Sequence, residues 1–308
     1  MPRVDFLGTG NAFSPHGRMH ALALIDGSIL IDTPPTLLTQ LRRSGFSPGD
    51  IEHILFTHWH GDHNFGFPFL MLDRKYISNR DAKVGLDVYL RPGGKDILSR
   101  LCRLGFPGSL ESLNQMLSWH ESEYEVIGET GWKFHRFPVL HNPETDPHGY
   151  ELVHESNFRL LHCGDSGPCD EIDNRAGRAD VIIVEMGMPD IGEFPHHHRP
   201  SDVVELASRN PHAKILVTHN YSSGKGFEEG FEIPNLPDTI CQLEDGDSLI
   251  IDEEGTFNIV STCAYANTPD IYAIDQAKQT KLEELQTKYT SDEDIKYHLT
   301  DWLNLDAK

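Results

Sequence analysis

Residues 51–63 constrain this chain more than any other stretch. Residues 51–56 form a short apolar run of strand character, and it feeds directly into Thr57-His58-Trp59-His60-Gly61-Asp62-His63. Three imidazoles and a carboxylate fall within six residues. Neutral imidazole and carboxylate are the donors that borderline divalent ions such as zinc prefer. His58 and His60 stand two apart, so an extended backbone points both toward one ion. Gly61 permits a sharp turn, after which Asp62 and His63 can face a second ion. A lone His-x-His pair is more often a surface accident than a site. Asp62 and His63 at this spacing, between the strand and the apolar run at 65–72, make the metal reading the stronger one. Four ligands from one turn point to a two-metal hydrolytic centre.

Composition limits the partners. With 48 acidic and 26 basic side chains the formal charge is −22, a field that repels polyanions. Proteins that grip long nucleic acid normally show a basic surface. Basic residues occur here mainly at Arg42-Arg43, Arg74-Lys75 and between Arg91 and Arg103, none a dense run. Extended RNA or DNA is therefore disfavoured, whereas a small anionic substrate at the metals is not. The five cysteines, Cys102, Cys163, Cys169, Cys241 and Cys263, include no Cys-x-x-Cys pair. That argues against a disulfide framework or a structural cysteine–zinc site, and Cys163 and Cys169 read as packing residues. No run approaches the roughly 18 apolar residues of a membrane span. The first residues lead straight into a strand and not into a signal-peptide segment, so the expected location is cytoplasmic.

Apolar runs and turn residues predict strands at 4–7, 21–25, 28–31, 51–56, 86–90, 132–140, 150–153, 158–162, 181–184, 214–218, 249–251 and 257–260, with Asp26-Gly27 as a hairpin turn. Helices are expected over 36–43, from 65 to 73, and over 94–104, with Ile97, Leu98, Leu101 and Leu104 on the apolar face of the last. A further helix is expected over 201–209, capped by Ser201. The tail predicts helices at 275–288 and 295–303, the second entered through Ser291-Asp292-Glu293-Asp294, a capping-box pattern. The expected organisation is one catalytic domain over 1–262 and a C-terminal helical extension over 263–308. That extension packs on the body or on another subunit, so a homodimer is among the expected states.

Four ligands do not complete two metal shells. His141 follows the apolar strand at 137–140, Asp165 follows 158–162 through Gly164, and His219 follows 215–218. Each alone would read as a turn residue. Three metal-competent residues, each immediately after a β run, are harder to obtain by chance.

In these features the chain resembles the metallo-β-lactamase superfamily, and within it the ribonuclease Z-like branch. Phe6-Leu7-Gly8-Thr9-Gly10, Ile31-Asp32-Thr33, the 57–63 motif, Phe65-Gly66-Phe67-Pro68, His141 with Gly149-Tyr150, Cys163-Gly164-Asp165-Ser166, the 179–185 run and Leu216-Val217-Thr218-His219 follow that branch's order. The resemblance spans roughly residues 3–225. It implies an α/β fold, the four-layer αβ/βα sandwich, with two divalent ions at one edge, zinc first and manganese or iron(II) as alternatives. It implies that His58, His60 and His141 bind one ion, that Asp62, His63 and His219 bind the other, and that Asp165 bridges them. Asp62 then also counts as catalytic beside the shared hydroxide. Asp32 is either a partner orienting a ligand histidine or a turn cap. His196-His197-His198 lies where the branch carries a substrate-contacting His-Ser-Thr loop. His198, or else His197, is expected to be proton donor or phosphate ligand; an exposed loop or a third metal site are the alternatives. Arg199 is a candidate charge clamp on phosphate. Val184 replaces the histidine of the branch's His-Glu loop, leaving the role of Glu185 open.

Only 23 residues separate His141 from Asp165, whereas transfer-RNA-processing members usually carry a long arm there. With the acidic charge, this favours a binuclear phosphodiesterase acting on a small or short phosphodiester over transfer RNA 3′-processing. Carboxyl-ester, lactone or sulfate-ester hydrolysis is the second enzymatic reading, because fold does not fix substrate. A catalytically idle metal-binding interaction protein is the non-enzymatic one, opposed by the complete ligand set.

Overall fold

The computed structural model describes residues 2–79, 85–111, 113–192, 194–227, 229–252, 255–261, 283–285 and 287–288. In chain order the strands are Arg3–Gly8 (β1), Leu22–Ile25 (β2), Ile29–Ile31 (β3), His53–Leu55 (β4), Leu86–Tyr89 (β5), Leu117–His120 (β6), Tyr124–Val126 (β7), Trp132–Pro138 (β8), His148–His154 (β9), Arg159–His162 (β10), Val181–Met186 (β11), Lys214–Asn220 (β12), Ile240–Gln242 (β13), Asp247–Ile251 (β14) and Phe257–Ser261 (β15). They form two sheets, ordered β15-β14-β1-β2-β3-β4-β5-β6 and β13-β12-β11-β10-β9-β8-β7. Each sheet changes from antiparallel to parallel part-way, at β3–β4 and at β10–β11. Parallel neighbours need crossovers, and these supply the helices Leu37–Arg43 (α1), Gly61–Asn64 (α2), Phe67–Asp73 (α3), Gly94–Gly105 (α4), Asp170–Ala176 (α5) and Pro200–Arg209 (α6).

Period-two alternation makes the layers. In β2, Ala23 and Ile25 face the second sheet while Leu22 and Leu24 face the helices; in β11, Val181 and Ile183 face inward while Ile182 and Val184 face outward. The inter-sheet core is closed by Trp132, Phe134 and Tyr150, all essentially fully buried. Truncating Trp132 to alanine would cost about 3–5 kcal/mol by the cavity rule for aromatics. Its indole Nε1 donates to Asp26 Oδ2 at 2.6 Å, so one polar bond ties the second sheet to the predicted Asp26-Gly27 turn. Both residues have positive φ, 48° and 72°, the mirror-image turn whose twist suits a hairpin, and Ser28 completes a three-residue connection between β2 and β3. The result is the αβ/βα sandwich.

Several expectations change in detail. On α4 the buried residues are Gly94, Leu98 and Cys102, whereas Leu104 is 70% exposed. Six residues on from Leu98, it lies on the far side of a 3.6-residue helix. Helix α6 begins at Pro200 with Arg199 as its cap, since proline suits the first helical position; Ser201 instead donates to Asp190 Oδ1 at 2.6 Å. The helix expected over 65–73 starts two residues later, as α3, and runs on into a π-helical turn at Arg74–Ser78, while the short α2 just before it had no prediction. Strands β6, β7 and β13 had no prediction; β7 is largely solvent-facing and so carries no apolar run. Residues 283–285 and 287–288 are helical, within the predicted 275–288, while the 295–303 helix lies outside the described residues. No helix among the described residues is long and apolar enough to cross a membrane.

Candidate metal centre

The 57–63 motif is held from below by Asp32, which follows β3 with a left-handed φ of 68°. Its Oδ1 accepts from the Thr57 amide at 2.8 Å, and its Oδ2 accepts from Thr57 Oγ1 at 2.6 Å and from His63 Nδ1 at 2.8 Å. Asp32 therefore both caps the turn and orients a ligand-competent histidine, joining the two expected roles. Gly61 does not make a left-handed turn. It opens α2, where a Cβ would meet the Phe65 ring at 2.6 Å, so close packing explains the glycine.

His58, His60 and His141 converge. His58 Nε2 lies 3.1 Å and His141 Nε2 3.0 Å from His60 Nδ1. His141 Nδ1 donates to the His196 carbonyl at 2.9 Å, and His58 Nδ1 sits 3.0 Å from Thr57 Oγ1, whose own proton goes to Asp32. Those bonds assign the tautomers and leave both Nε2 lone pairs facing inward. Burial foremost lowers the pKa of all three rings, keeping them in the neutral form that binds metal.

The second group is Asp62, His63, Asp165 and His219, whose ligand atoms lie within 4.8 Å of one another. Asp165 Oδ2 is 3.1 Å from His219 Nε2, 3.4 Å from His63 Nε2 and 3.8 Å from His58 Nε2, so this one oxygen stands between the two groups. Asp62 Oδ2 lies 3.3 Å from His63 Nε2 and 3.4 Å from His219 Nε2. Burial opposes charge on all four, and the mutual attraction of carboxylates and imidazoles overcomes it: both aspartates move down in pKa and both histidines up. His63 Nε2 is buried without a hydrogen-bond partner. Orphaned nitrogen, inward lone pairs and two carboxylates fit divalent cations.

Backbone irregularities aim two of these side chains. Glu185 pairs with Thr218 and Met186 with Asn220, so His219 is the extra residue of a bulge in β12, at a φ of 45°; a bulge re-aims a side chain. Gly164 sits at a φ of 64°, and a Cβ there would meet the His148 carbonyl at 2.7 Å. Only glycine lets the chain deliver Asp165 at that point.

The three-histidine run divides its duties. His196 lends its carbonyl to His141. His198 is buried, with Nδ1 2.5 Å from the Ser166 carbonyl. His197 is the ring that reaches the centre, 4.8 Å from the His141 ring and stacked 6.2 Å from His219. Its Nδ1 lies 2.7 Å from Glu185 Oε1. Burial works against the charged form of His197, but the Glu185 carboxylate outweighs it and the pKa rises to about 9. Glu185 is 1% exposed and also accepts from the Ser166 amide at 3.1 Å. Sequence reasoning left its role open; the available signal was a carboxylate inside the apolar strand β11, which cannot stay buried without partners. Arg199 does not form the expected clamp, because its guanidinium pairs with Asp202 at 2.9 Å at the start of α6.

The sequence profile of the beta-lactamase superfamily domain matches residues 28–220, which contain every residue of this centre. The chain belongs to the metallo-β-lactamase superfamily. Within that superfamily it is ribonuclease Z-like. A protein named Ribonuclease Z from Methanothermobacter thermautotrophicus is 33% identical over 304 residues, covering 79% of this chain and 97% of its own. The human short-form tRNase Z structure superposes with a TM-score of 0.60 at 21% identity, over 81% of this chain and 99% of its own. A diphosphatase of the PhnP family gives a TM-score of 0.59 at 23% identity, over 82% and 98%. The chain is a metal-dependent hydrolase of this superfamily. The ribonuclease names of these relatives run against the expectation, drawn from net charge, that disfavours extended nucleic acid.

Proposed function

We propose that this chain is a binuclear phosphodiesterase acting on a small or short phosphodiester, with His197 as proton donor. The observation that carries the reading is the position of Asp165 Oδ2 between two ligand groups, with the Glu185–His197 pair beside them. His58, His60 and His141 would hold one ion and Asp62, His63 and His219 the other, with zinc first and iron(II) or manganese(II) as alternatives that the same imidazole and carboxylate donors suit. Two such ions, when bound, acidify a water and offset charge on a phosphoryl oxygen. The protein's own residues do the rest. Asp32 holds His63 and Thr57 in place, the His196 carbonyl fixes the tautomer of His141, and Glu185 holds His197 Nδ1 so that Nε2 is left to donate to the leaving oxygen.

Substrate size follows from the segment between His141 and Asp165. It contains β9 and β10 joined by residues 155–158, a hairpin too short to serve as an arm that grips a long RNA. RNA cleavage is the second reading, favoured by the names of the curated relatives. The test is elemental analysis of the purified chain combined with turnover of bis-p-nitrophenyl phosphate, a carboxyl ester, an aryl sulfate and a 3′-extended transfer RNA. About two ions per chain and diester turnover that disappears in His60→Ala and Asp165→Ala are expected. Preferential turnover of the RNA, the ester or the sulfate would replace the proposal with that alternative.

A further inference from the structure

An apolar cleft of about 390 Å³ opens beside the centre, lined chiefly by Phe13, Met188, Pro189, Ile191, Tyr221 and Phe231. Its wall and the wall of the catalytic centre are the same residue. A Cβ on Gly187 would meet Glu185 Oε2 at 2.5 Å on one side and His197 Nδ1 at 2.8 Å, and Gly187 also lines the cleft. Asn11 braces that wall, its Nδ2 donating to the Gly187 carbonyl at 3.2 Å and its amide to the Asn220 carbonyl at 3.2 Å. Tyr221 follows His219 by two residues and meets Phe231 edge-on, ring centres 5.7 Å apart. Gly187 therefore stands between the cleft and the Glu185–His197 pair.

The lining says what the cleft accepts. It includes no lysine, arginine, aspartate or glutamate among the described residues, so nothing there compensates the charges of a polynucleotide backbone. Phe13, Ile191 and Phe231 are 84%, 62% and 56% exposed, and large side chains left in water around a concavity mark a binding site rather than core. The volume falls within the roughly 300–1,000 Å³ of small-ligand pockets, which are apolar with a few placed polar groups; Asn11, His16 and Ser223 are those groups here.

We propose that this cleft binds a flat, uncharged aromatic substituent of the substrate, such as an aryl group or a nucleobase, while the attached phosphodiester lies at the metal centre. The inference rests on the phosphodiesterase reading and narrows it to diesters carrying at least one ring. Stacking on Phe231, Phe13 and Tyr221 supplies recognition, and the exposed rim lets the ring enter edge-first.

The test uses the full chain with zinc and titrates diphenyl phosphate and dimethyl phosphate by calorimetry, in the wild type and in Phe231→Ala and Phe13→Ala. Diphenyl phosphate should bind at least about tenfold more tightly than dimethyl phosphate, the scale of one aromatic stacking contact. Each variant should lose most of that preference while keeping its thermal midpoint, because both side chains are exposed. Leu104→Ala, on the far face of α4, should leave the preference intact. Equal binding of the two diesters, or a preference that survives both substitutions, overturns the assignment. A dimer that dissociates in Phe13→Asp, with no preference for the ring, assigns the cleft to a second copy and also overturns it. Failure of the hydrolase reading is separately visible: no turnover of bis-p-nitrophenyl phosphate with the ring preference intact leaves the cleft standing.

Discussion

Two histidine-rich runs, 58–63 and 196–198, look alike on paper and behave differently in the fold. In the first, His58, His60 and His63 all turn their free nitrogens toward the centre, because alternate positions of an extended stretch share one side and the helical turn that follows brings His63 back to it. In the second, three successive residues go three ways. His196 contributes a carbonyl, His197 a ring, and His198 a buried bond to Ser166. Residue type alone therefore does not announce a ligand; the backbone path through it does.

This contrast can be broken by substitution. His60→Ala should have the largest effect, lowering kcat/KM by more than the roughly 10²–10⁴-fold that one proton-transfer group is worth, with fewer metal ions per chain by elemental analysis. Retained metal and activity would remove the first run from the centre. His197→Ala should lower kcat by about 10²–10⁴-fold with metal content unchanged; loss of metal would make it a ligand instead of a donor. His198→Ala should cost about 1–3 kcal/mol of stability for the unsatisfied Ser166 carbonyl, read by denaturant unfolding, while the metal stays bound. A kcat loss as large as that of His197→Ala would restore His198 as the donor. Arg199→Ala should be mildest, under about 1 kcal/mol for a half-exposed pair, and a raised KM for the diester would revive the phosphate clamp.

The first run was legible because its information is local. The spacing of His58 and His60, and the strand before them, are properties of a few consecutive residues. His141, Asp165 and His219 were legible by the same device, each standing just after an apolar β run. Less was legible where a side chain's role depends on something distant. Leu104 reads as part of an apolar face, yet the turn of α4 carries it into water. Glu185 looked like the remnant of a broken motif until the fold set it 2.7 Å from His197.

By itself, the chain of residues determined most of the strands, through apolar runs and turn residues, and the candidate donors, through their place just after those runs; the two-sheet sandwich came from the resemblance its motifs carry. Only the tertiary structure decided that a bulge aims His219, that Glu185 holds His197, that His197 rather than His198 faces the centre, and that an aromatic cleft lies beside it. These are contacts between segments separated in the sequence. Local periodicity specifies which way a side chain points from its own element, but not what that element will meet.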